Sequence, residues 1–361
     1  MGKKNKRKNK KVELPFVSVC TPTFNRRPFI PSLIQCYKHQ KYPSNRMEWI
    51  IIDDGTDLVE ELFINIDIPN VKYIKLNEKI TLGKKRNLMH TYCKGEIIVY
   101  MDDDDYYPPT RVSHAVERLI SNPKALAAGS SEMYIYFKNI SKMYQFGPYG
   151  PNHATAGTFA FKKELLNQTK YNEDKCMAEE KEFLKGFTIP FVQLNPKHVI
   201  LVFSHSHNTC DKSKLISDKN NAGFRLSDKS VTDFIKEPNL LDWFMNKIDG
   251  DLSNYEPGLP KYKPDVMIQL AEFEERIKQR KRSIVPDIGI TIQRKGKPPI
   301  KLNQEQIVKL LQEQQNKIKE LILQNDRLTD LCELQQEKLS NLTNPNIKDH
   351  ITQAANLTTF S

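Results

Sequence analysis

One stretch constrains this chain more than any other. The apolar run Ile97-Ile98-Val99-Tyr100-Met101 stops abruptly at Asp102-Asp103-Asp104-Asp105. Such a run reads as a buried strand, and its end delivers four carboxylates to one edge of a sheet. At about 4–5 Å and an effective dielectric near 20, each pair of bare carboxylates costs roughly 3–4 kcal/mol. A cation is therefore expected among them, and hard carboxylate oxygens suit Mg²⁺ or Mn²⁺. An EF-hand is excluded: counting Asp102 as position one, position six is Tyr107 and position twelve is Ser113, where Gly and Glu are required.

The same pattern of apolar strand and polar end repeats upstream. Phe16-Val17-Ser18-Val19-Cys20 reads as a first strand and runs into Thr21-Pro22-Thr23-Phe24-Asn25-Arg26, while Trp49-Ile50-Ile51-Ile52 reads as a second and runs into Asp53-Asp54-Gly55. Val71-Lys72-Tyr73-Ile74 is a short third strand. Helical patterns intervene around 29–37 and from Thr81, and the second of these carries Lys85 and Arg86. Continuous apolar strands alternating with helices predict an α/β fold, a mixed but mostly parallel sheet flanked by helices. Ligands in such sheets bind beyond the carboxyl ends of the strands, where the polar clusters gather.

Beyond residue 110 the pattern gives an amphipathic helix near 112–120, an aromatic stretch from Tyr134 to Tyr149 that could wall an acceptor site, and a Gly/Pro loop from Gly147 to Gly157. A helix with Glu179, Glu180 and Glu182 follows, then Val199-Ile200-Leu201-Val202-Phe203, a strand that ends near His205 and His207. The segmentation expected is a basic arm over 1–13, a catalytic α/β domain over 14–215, an irregular linker with short helices over 216–302, a coiled coil over 303–342 and a flexible tail over 343–361. The coiled coil rests on a heptad with Leu311, Ile318, Asn325, Cys332 and Leu339 at a, and Ile307, Gln314, Leu321, Leu328, Gln335 and Leu342 at d. A polar Asn325 at a fixes a two-stranded register, so a homodimer is the expected assembly; a single solvated helix is the alternative.

The motifs taken together, in this order and spacing over residues 14–210, resemble the family-2 glycosyltransferases with the Rossmann-like GT-A fold: Val17 to Arg26, Trp49 to Asp57, Gly83 with Arg86-Asn87, and Asp102-x-Asp104-Asp105. The resemblance implies an enzyme that moves a sugar, a hexose by preference, from a nucleotide diphosphate to a hydroxyl acceptor with inversion. It implies Asp104 and Asp105 at a Mn²⁺ or Mg²⁺ ion, joined by His205, and Asp102 and Asp103 near the ribose and sugar. Thr21, Thr23, Asp53, Asp54, Lys85 and Arg86 would line the nucleotide, with UDP favoured by the aspartates at the base. Glu180 matches the catalytic base of the family's Glu-Asp-x-x-Leu-Leu segment, although Glu stands here in place of Asp. The acceptor, a glycan, protein or lipid, is not named by the sequence. Arg86 read without the family is a solvated helix residue, and three acids on one helix are an ordinary solvated face.

Rival readings are a sugar nucleotidyltransferase, which would want a glycine-rich phosphate loop where residues 21–26 have no glycine, and a non-catalytic coiled-coil scaffold with a basic arm. The formal net charge of +11 falls to +4 once the seven basic residues between Lys3 and Lys11 are set aside. The basicity is thus mostly a solvated arm rather than a nucleic-acid or membrane surface. Six scattered cysteines without a Cys-x-x-Cys pair suit neither a zinc knuckle nor a disulfide framework. With no apolar run near ~20 residues and no signal-like start, the expected location is the cytoplasm.

Overall fold

The computed structural model describes residues 13–177, 179–208, 212, 216, 223–283, 291–293, 299–302 and 304–342. Nearly all of the basic arm, the tail over 343–361 and Cys210 lie outside the described residues.

Strands β1 (Val17–Thr23), β2 (Met47–Asp53), β3 (Val71–Lys75) and β4 (Ile97–Tyr100) are parallel and adjacent in the order β3-β2-β1-β4. Helices α1 (Ile30–Lys38) and α2 (Leu82–Tyr92) make two of the crossovers. The sheet continues through β8 (Ala160–Lys162), antiparallel to β4, and then β5 (Ala127–Gly129) and β9 (Phe191–Gln193). Every residue of β2 is buried, which is why its sequence is apolar throughout rather than alternating.

The period of two along each strand sorts these side chains into two cores. Val17, Val19, Trp49, Ile51 and Val99 pack on one face with α1 and α3 (Arg111–Ser121). Cys20, Ile50, Ile52, Ile98 and Tyr100 pack on the other with Met89, Phe161 and Phe183. Thr23 pairs with Asp53, and Cys20 with Tyr100, so β1, β2 and β4 all finish at one edge.

The aromatic stretch forms a hairpin, β6 (Met133–Phe137) and β7 (Lys142–Phe146), flanked by β10 (Leu201–Ser204) and β11 (Phe224–Leu226) in a second sheet of order β10-β6-β7-β11. Tyr134 and Phe137 are buried in the core, and Tyr144 stacks on Phe224 at 4.8 Å, so these rings serve packing rather than the wall of the cleft described below. Strand β10 (Leu201–Ser204) belongs to this second sheet, and a bridge between Tyr106 and Leu201 ties it to the loop after the aspartates. That bridge is what carries His205 beside Asp104.

The first compact unit closes at Arg276 rather than at 215. Val231, Phe234, Ile235, Leu240, Phe244, Ile248 and Leu252 are buried in the first core, spaced too irregularly for a single helix pattern to announce them. The second unit, from Ile277, contains the 39-residue helix Gln304–Leu342.

Candidate active site

A cleft opens at the finishing edge of β1, β2 and β4. Pro22, Thr23 and Phe24 form one side, Lys79, Ile80, Lys85 and Arg86 another, and Asp102, Asp103 and Asp104 the floor; its volume is ≈ 170 Å³. Cations and carboxylates therefore face one another, which answers the repulsion argument from the sequence: the protein supplies the positive charge itself.

Arg26 is the central counter-ion. It donates to Asp104 Oδ2 at 3.3 Å, lies 3.4 Å from Asp103 Oδ1, and donates to the His207 carbonyl at 2.8 Å. Burial alone would raise the Asp104 pKa, but Arg26 and then His205 outweigh it and hold the carboxyl below its ordinary range. Burial pushes Asp103 up to about 6 in spite of Arg26. Burial also raises Asp105, reinforced by the charge of Asp104; its Oδ1 is buried and unpaired.

Arg86 is buried, which removes the reading of a solvated helix residue. Its Nε donates to Glu179 at 2.9 Å, its Nη2 lies 3.7 Å from Asp102 Oδ1, and its guanidinium sits 4.3 Å from the Tyr100 ring centroid. Burial opposes the charge, yet Glu179 and then Asp102 outweigh it and raise the Arg86 pKa. Lys85 pairs with Asp54 and donates to the Thr23 carbonyl at 2.9 Å. Lys84, Lys85 and Arg86, three cations near the start of α2, oppose the helix dipole. For Lys85 and Arg86 the conflict is offset by Asp54, Asp102 and Glu179, a local conflict of the kind expected at functional sites.

Of the residues expected at the nucleotide, Thr23, Lys85, Arg86, Asp102 and Asp103 line the cleft; Thr21, Asp53 and Asp54 do not. The Thr21 hydroxyl donates to the Met101 carbonyl at 2.7 Å and accepts from Trp49 Nε1 at 3.0 Å, locking β1 to its neighbours. Asp53 caps the turn that follows it, accepting from Gly55 N at 2.9 Å, Val59 N at 3.1 Å and the Tyr73 hydroxyl at 2.6 Å. Asp54 accepts from Ile80 N at 2.9 Å besides holding Lys85, so it orients cleft residues from behind.

His205 Nε2 lies 3.6 Å from Asp104 Oδ2, its side chain fully covered and its ring tilted against that of Phe29 at a centroid distance of 4.8 Å. Burial holds its pKa well below the ordinary value despite Asp104, so the imidazole is neutral and competent as a ligand. Among the described residues no group of three or more His, Cys, Asp or Glu side chains gathers as a metal cage. One carboxylate and one imidazole fit the donor chemistry of Mn²⁺ or Mg²⁺ when phosphate oxygens and water complete the shell. Asp105 stands beside this pair in sequence.

Glu180 begins the short helix α4 (Glu180–Phe183) and is half-buried. Burial, then the charge of Glu179, pushes it up to about 7. Glu182 instead faces outward, accepting from Asn172 at 2.9 Å. The three acids are thus distinguished by their surroundings: Glu179 holds Arg86, Glu182 is solvated, and Glu180 stands between.

Several cleft residues carried no signal in the sequence. Lys79, Cys176 and Lys263 arrive from distant loops, and Asp265 and Val266 from the first turn of the helix Pro264–Ser283. Gly157 could have been found: the loop from Gly147 was visible, and a Cβ at Gly157 would stand 2.8 Å from Asp102 Oδ2. The absence of a side chain there leaves Asp102 its position.

A mostly parallel α/β sheet places a cleft of this kind, acidic and basic at the strand ends, where ligands bind in such folds. Residues 18–185 match the model of Glycosyl transferase family 2, so the chain carries a family-2 glycosyltransferase domain. Among curated relatives, a poly(ribitol-phosphate) β-N-acetylglucosaminyltransferase, TarS, of Staphylococcus aureus is 31% identical over 94 residues, 25% of this chain and 16% of that protein. A putative teichuronic acid biosynthesis glycosyltransferase, TuaG, of Bacillus subtilis is 26% identical over 117 residues, 31% of this chain and 45% of that protein. The chain thus spans less than half the length of these relatives. Among solved structures, S. aureus TarS 1–349 in complex with UDP-GlcNAc has a TM-score of 0.41 at 20% identity, covering 52% of this chain and 58% of that one. A mannosyltransferase from Pyrobaculum calidifontis in complex with GDP-Man and Mn²⁺ has a TM-score of 0.44 at 16% identity, covering 75% and 83%.

Proposed function

We propose that this protein is an inverting, divalent-metal-dependent glycosyltransferase that moves a hexose from a nucleotide diphosphate, UDP by preference, to a hydroxyl acceptor. The observation that carries this reading is the placement of Asp102, Asp103 and Asp104 opposite Arg26, Lys85 and Arg86 in a single cleft at the strand ends. A leaving diphosphate needs cations around it, and a sugar ring needs acceptors for its hydroxyls; the cleft offers both.

Asp104 and His205 would hold Mn²⁺ or Mg²⁺, with Asp105 in support, and the bound ion would supply Lewis-acid neutralisation of the leaving diphosphate. Lys85, kept in place by Asp54, and Arg86, kept in place by Glu179, add fixed positive charge beside it. Asp102 faces the sugar, and Thr23 the nucleotide. Glu180 accepts the proton of the acceptor hydroxyl as that oxygen attacks the anomeric carbon, and its raised pKa makes it a base matched to neutral pH. Thermal denaturation with UDP, GDP and CDP, each with and without Mn²⁺, tests the donor site directly: UDP with Mn²⁺ is expected to raise the midpoint most, and no shift by any of them contradicts the proposal.

The base assignment carries a pH prediction. Glu180 must be ionised to act, so kcat/KM is expected to fall about tenfold per unit as pH drops below about 7. Its linkage to stability has the opposite slope. A carboxyl whose pKa rises on folding favours the folded chain fully below its ordinary value of 4.5 and loses that contribution as pH rises through about 7. Glu180→Gln should lower kcat by roughly 10²–10⁴ and flatten the acid limb; an unchanged profile would assign the limb to another group.

Self-association is proposed through the helix Gln304–Leu342, on which Leu311, Ile318, Leu321 and Leu328 are exposed. The occupant is a second copy, since the a and d positions of one heptad register supply these residues. Sedimentation should find a dimer that Leu321→Lys converts to monomer; a monomeric native chain contradicts it.

A further inference from the structure

The segment from Tyr255 to Gln269 crosses the mouth of the cleft as a strap, tied at both ends. At one end the Tyr255 hydroxyl donates to Asp57 Oδ2 at 2.8 Å, His207 Nε2 donates to the Tyr255 carbonyl at 2.5 Å, and Asn25 Nδ2 donates to the Pro257 carbonyl at 3.0 Å. At the other end Asp265 pairs with Lys79 and accepts from Cys176 Sγ at 3.2 Å, while Gln269 accepts from Cys176 N at 2.9 Å and donates to the Asp174 carbonyl at 2.5 Å. The anchors come from the loops after β1, β2 and β10 at one end and from the stretches before α2 and α4 at the other, so the strap spans the cleft from one bank to the other. Gly258 allows the close approach: a Cβ there would stand 2.6 Å from His207 Cδ2 and 2.8 Å from the Asn25 carbonyl.

Between these anchors the strap turns Lys263 inward. Its side chain is buried, lines the cleft beside Asp103 and Asp104, and places Nζ 5.8 Å from the Phe24 ring centroid. Two residues earlier Lys261 points out, 57% exposed and paired with Glu256. A buried ammonium is costly, and here the charges of Asp103 and Asp104 favour it. The floor beneath is acidic, so a diphosphate entering there meets repulsion that Arg26 alone does not cancel, being already shared between Asp103 and Asp104.

We propose that the strap is the roof of the donor site and that Lys263 is a binding residue for the donor's diphosphate, contributing a positive charge from outside the family-matched residues. The inference rests on the donor-site reading given under Proposed function. Anions held by a lysine in a partly dry cleft gain more than in water, so the effect is specific to the phosphates and not to the base or sugar.

Titration calorimetry of the full chain with UDP and with uridine, in Mn²⁺, tests it. Lys263→Met is expected to weaken UDP at least tenfold while uridine affinity stays within twofold, and Lys261→Met should leave both unchanged. Equal UDP affinity in native protein and Lys263→Met overturns the inference and leaves the donor site standing. So does a parallel loss for UDP and uridine, which would make Lys263 a support for the strap, as would a matching loss in Lys261→Met. A native protein that binds none of the ligands overturns the donor site and this inference with it.

Discussion

Asp104→Asn is expected to abolish sugar transfer, lowering kcat by about 10³-fold, which corresponds to roughly 4 kcal/mol of lost transition-state stabilisation. The fold should survive, because Arg26 keeps Asp103 at 3.4 Å and the His207 carbonyl at 2.8 Å when the Asp104 charge is gone. The amide is close in size to the carboxylate, so the change removes a charge and a hard ligand without opening a cavity. Steady-state kinetics over a range of Mn²⁺, alongside a thermal melt, separate the two consequences. A variant that retains more than about a tenth of native kcat at saturating Mn²⁺ contradicts the role given to Asp104, since removing a group that acts on the leaving diphosphate cannot be that cheap.

The second large effect belongs to Arg86. Arg86→Met leaves Glu179 buried without its cation and removes the nearby charge from the partly exposed Asp102, and breaking a buried ion pair from one side costs about 3–5 kcal/mol. Lysine in its place would recover part of the charge, but neither the planar stacking on Tyr100 nor two separate hydrogen-bonding directions. The same change should alter the chemistry. Arg86 restrains the upward shift of Glu180, so in the variant the acid limb of the rate profile moves to higher pH. Urea denaturation and a pH profile measure both. A loss under about 1 kcal/mol with an unmoved limb would mean that Arg86 is a passive neighbour of Glu179.

The parallel core was legible because β1, β2 and β4 are buried on both faces and therefore continuous in sequence. The residues read as strands at 16–20, 49–52, 71–74 and 97–101 lie at β1, β2, β3 and β4. Less could be read where packing decides. Val199 to Phe203 reads as a strand without a stated neighbour, and Leu201–Ser204 pair with the aromatic hairpin, a choice made by tertiary contacts that periodicity does not encode. Residues 231–252 read as linker with only a short amphipathic stretch near 234–248, because the helical pieces there are short and a π turn, Trp243–Lys247, interrupts their repeat.

In the cleft, Asp102, Asp103 and Asp104 line the cavity at the strand end where the sequence puts them, while the hydrogen bonds of other polar residues at strand ends were not legible. Asp53 and Thr21 stand at the right strand ends yet spend their hydrogen bonds on the turn and on the neighbouring strand. A turn cap and a ligand contact use the same residue types, so composition cannot tell them apart. Arg26 was visible at the end of the first strand but without a role, because its partners lie 77 and 78 residues away. Lys263 and Asp265 were invisible for the same reason. A lysine in a polar stretch reads as solvated until the strap that buries it is in view.

The central claim is that this cleft transfers a sugar from a nucleotide diphosphate with the help of a divalent ion. Nucleoside diphosphate release from a panel of UDP-, GDP-, CDP- and ADP-sugars, measured with Mn²⁺ and again after EDTA, tests it most directly. The prediction is release from one nucleotide class, UDP-sugars first, that EDTA eliminates and Mn²⁺ restores, and that is lost in Asp104→Asn. Release from none of them, or release that persists unchanged in EDTA and in Asp104→Asn, would contradict it.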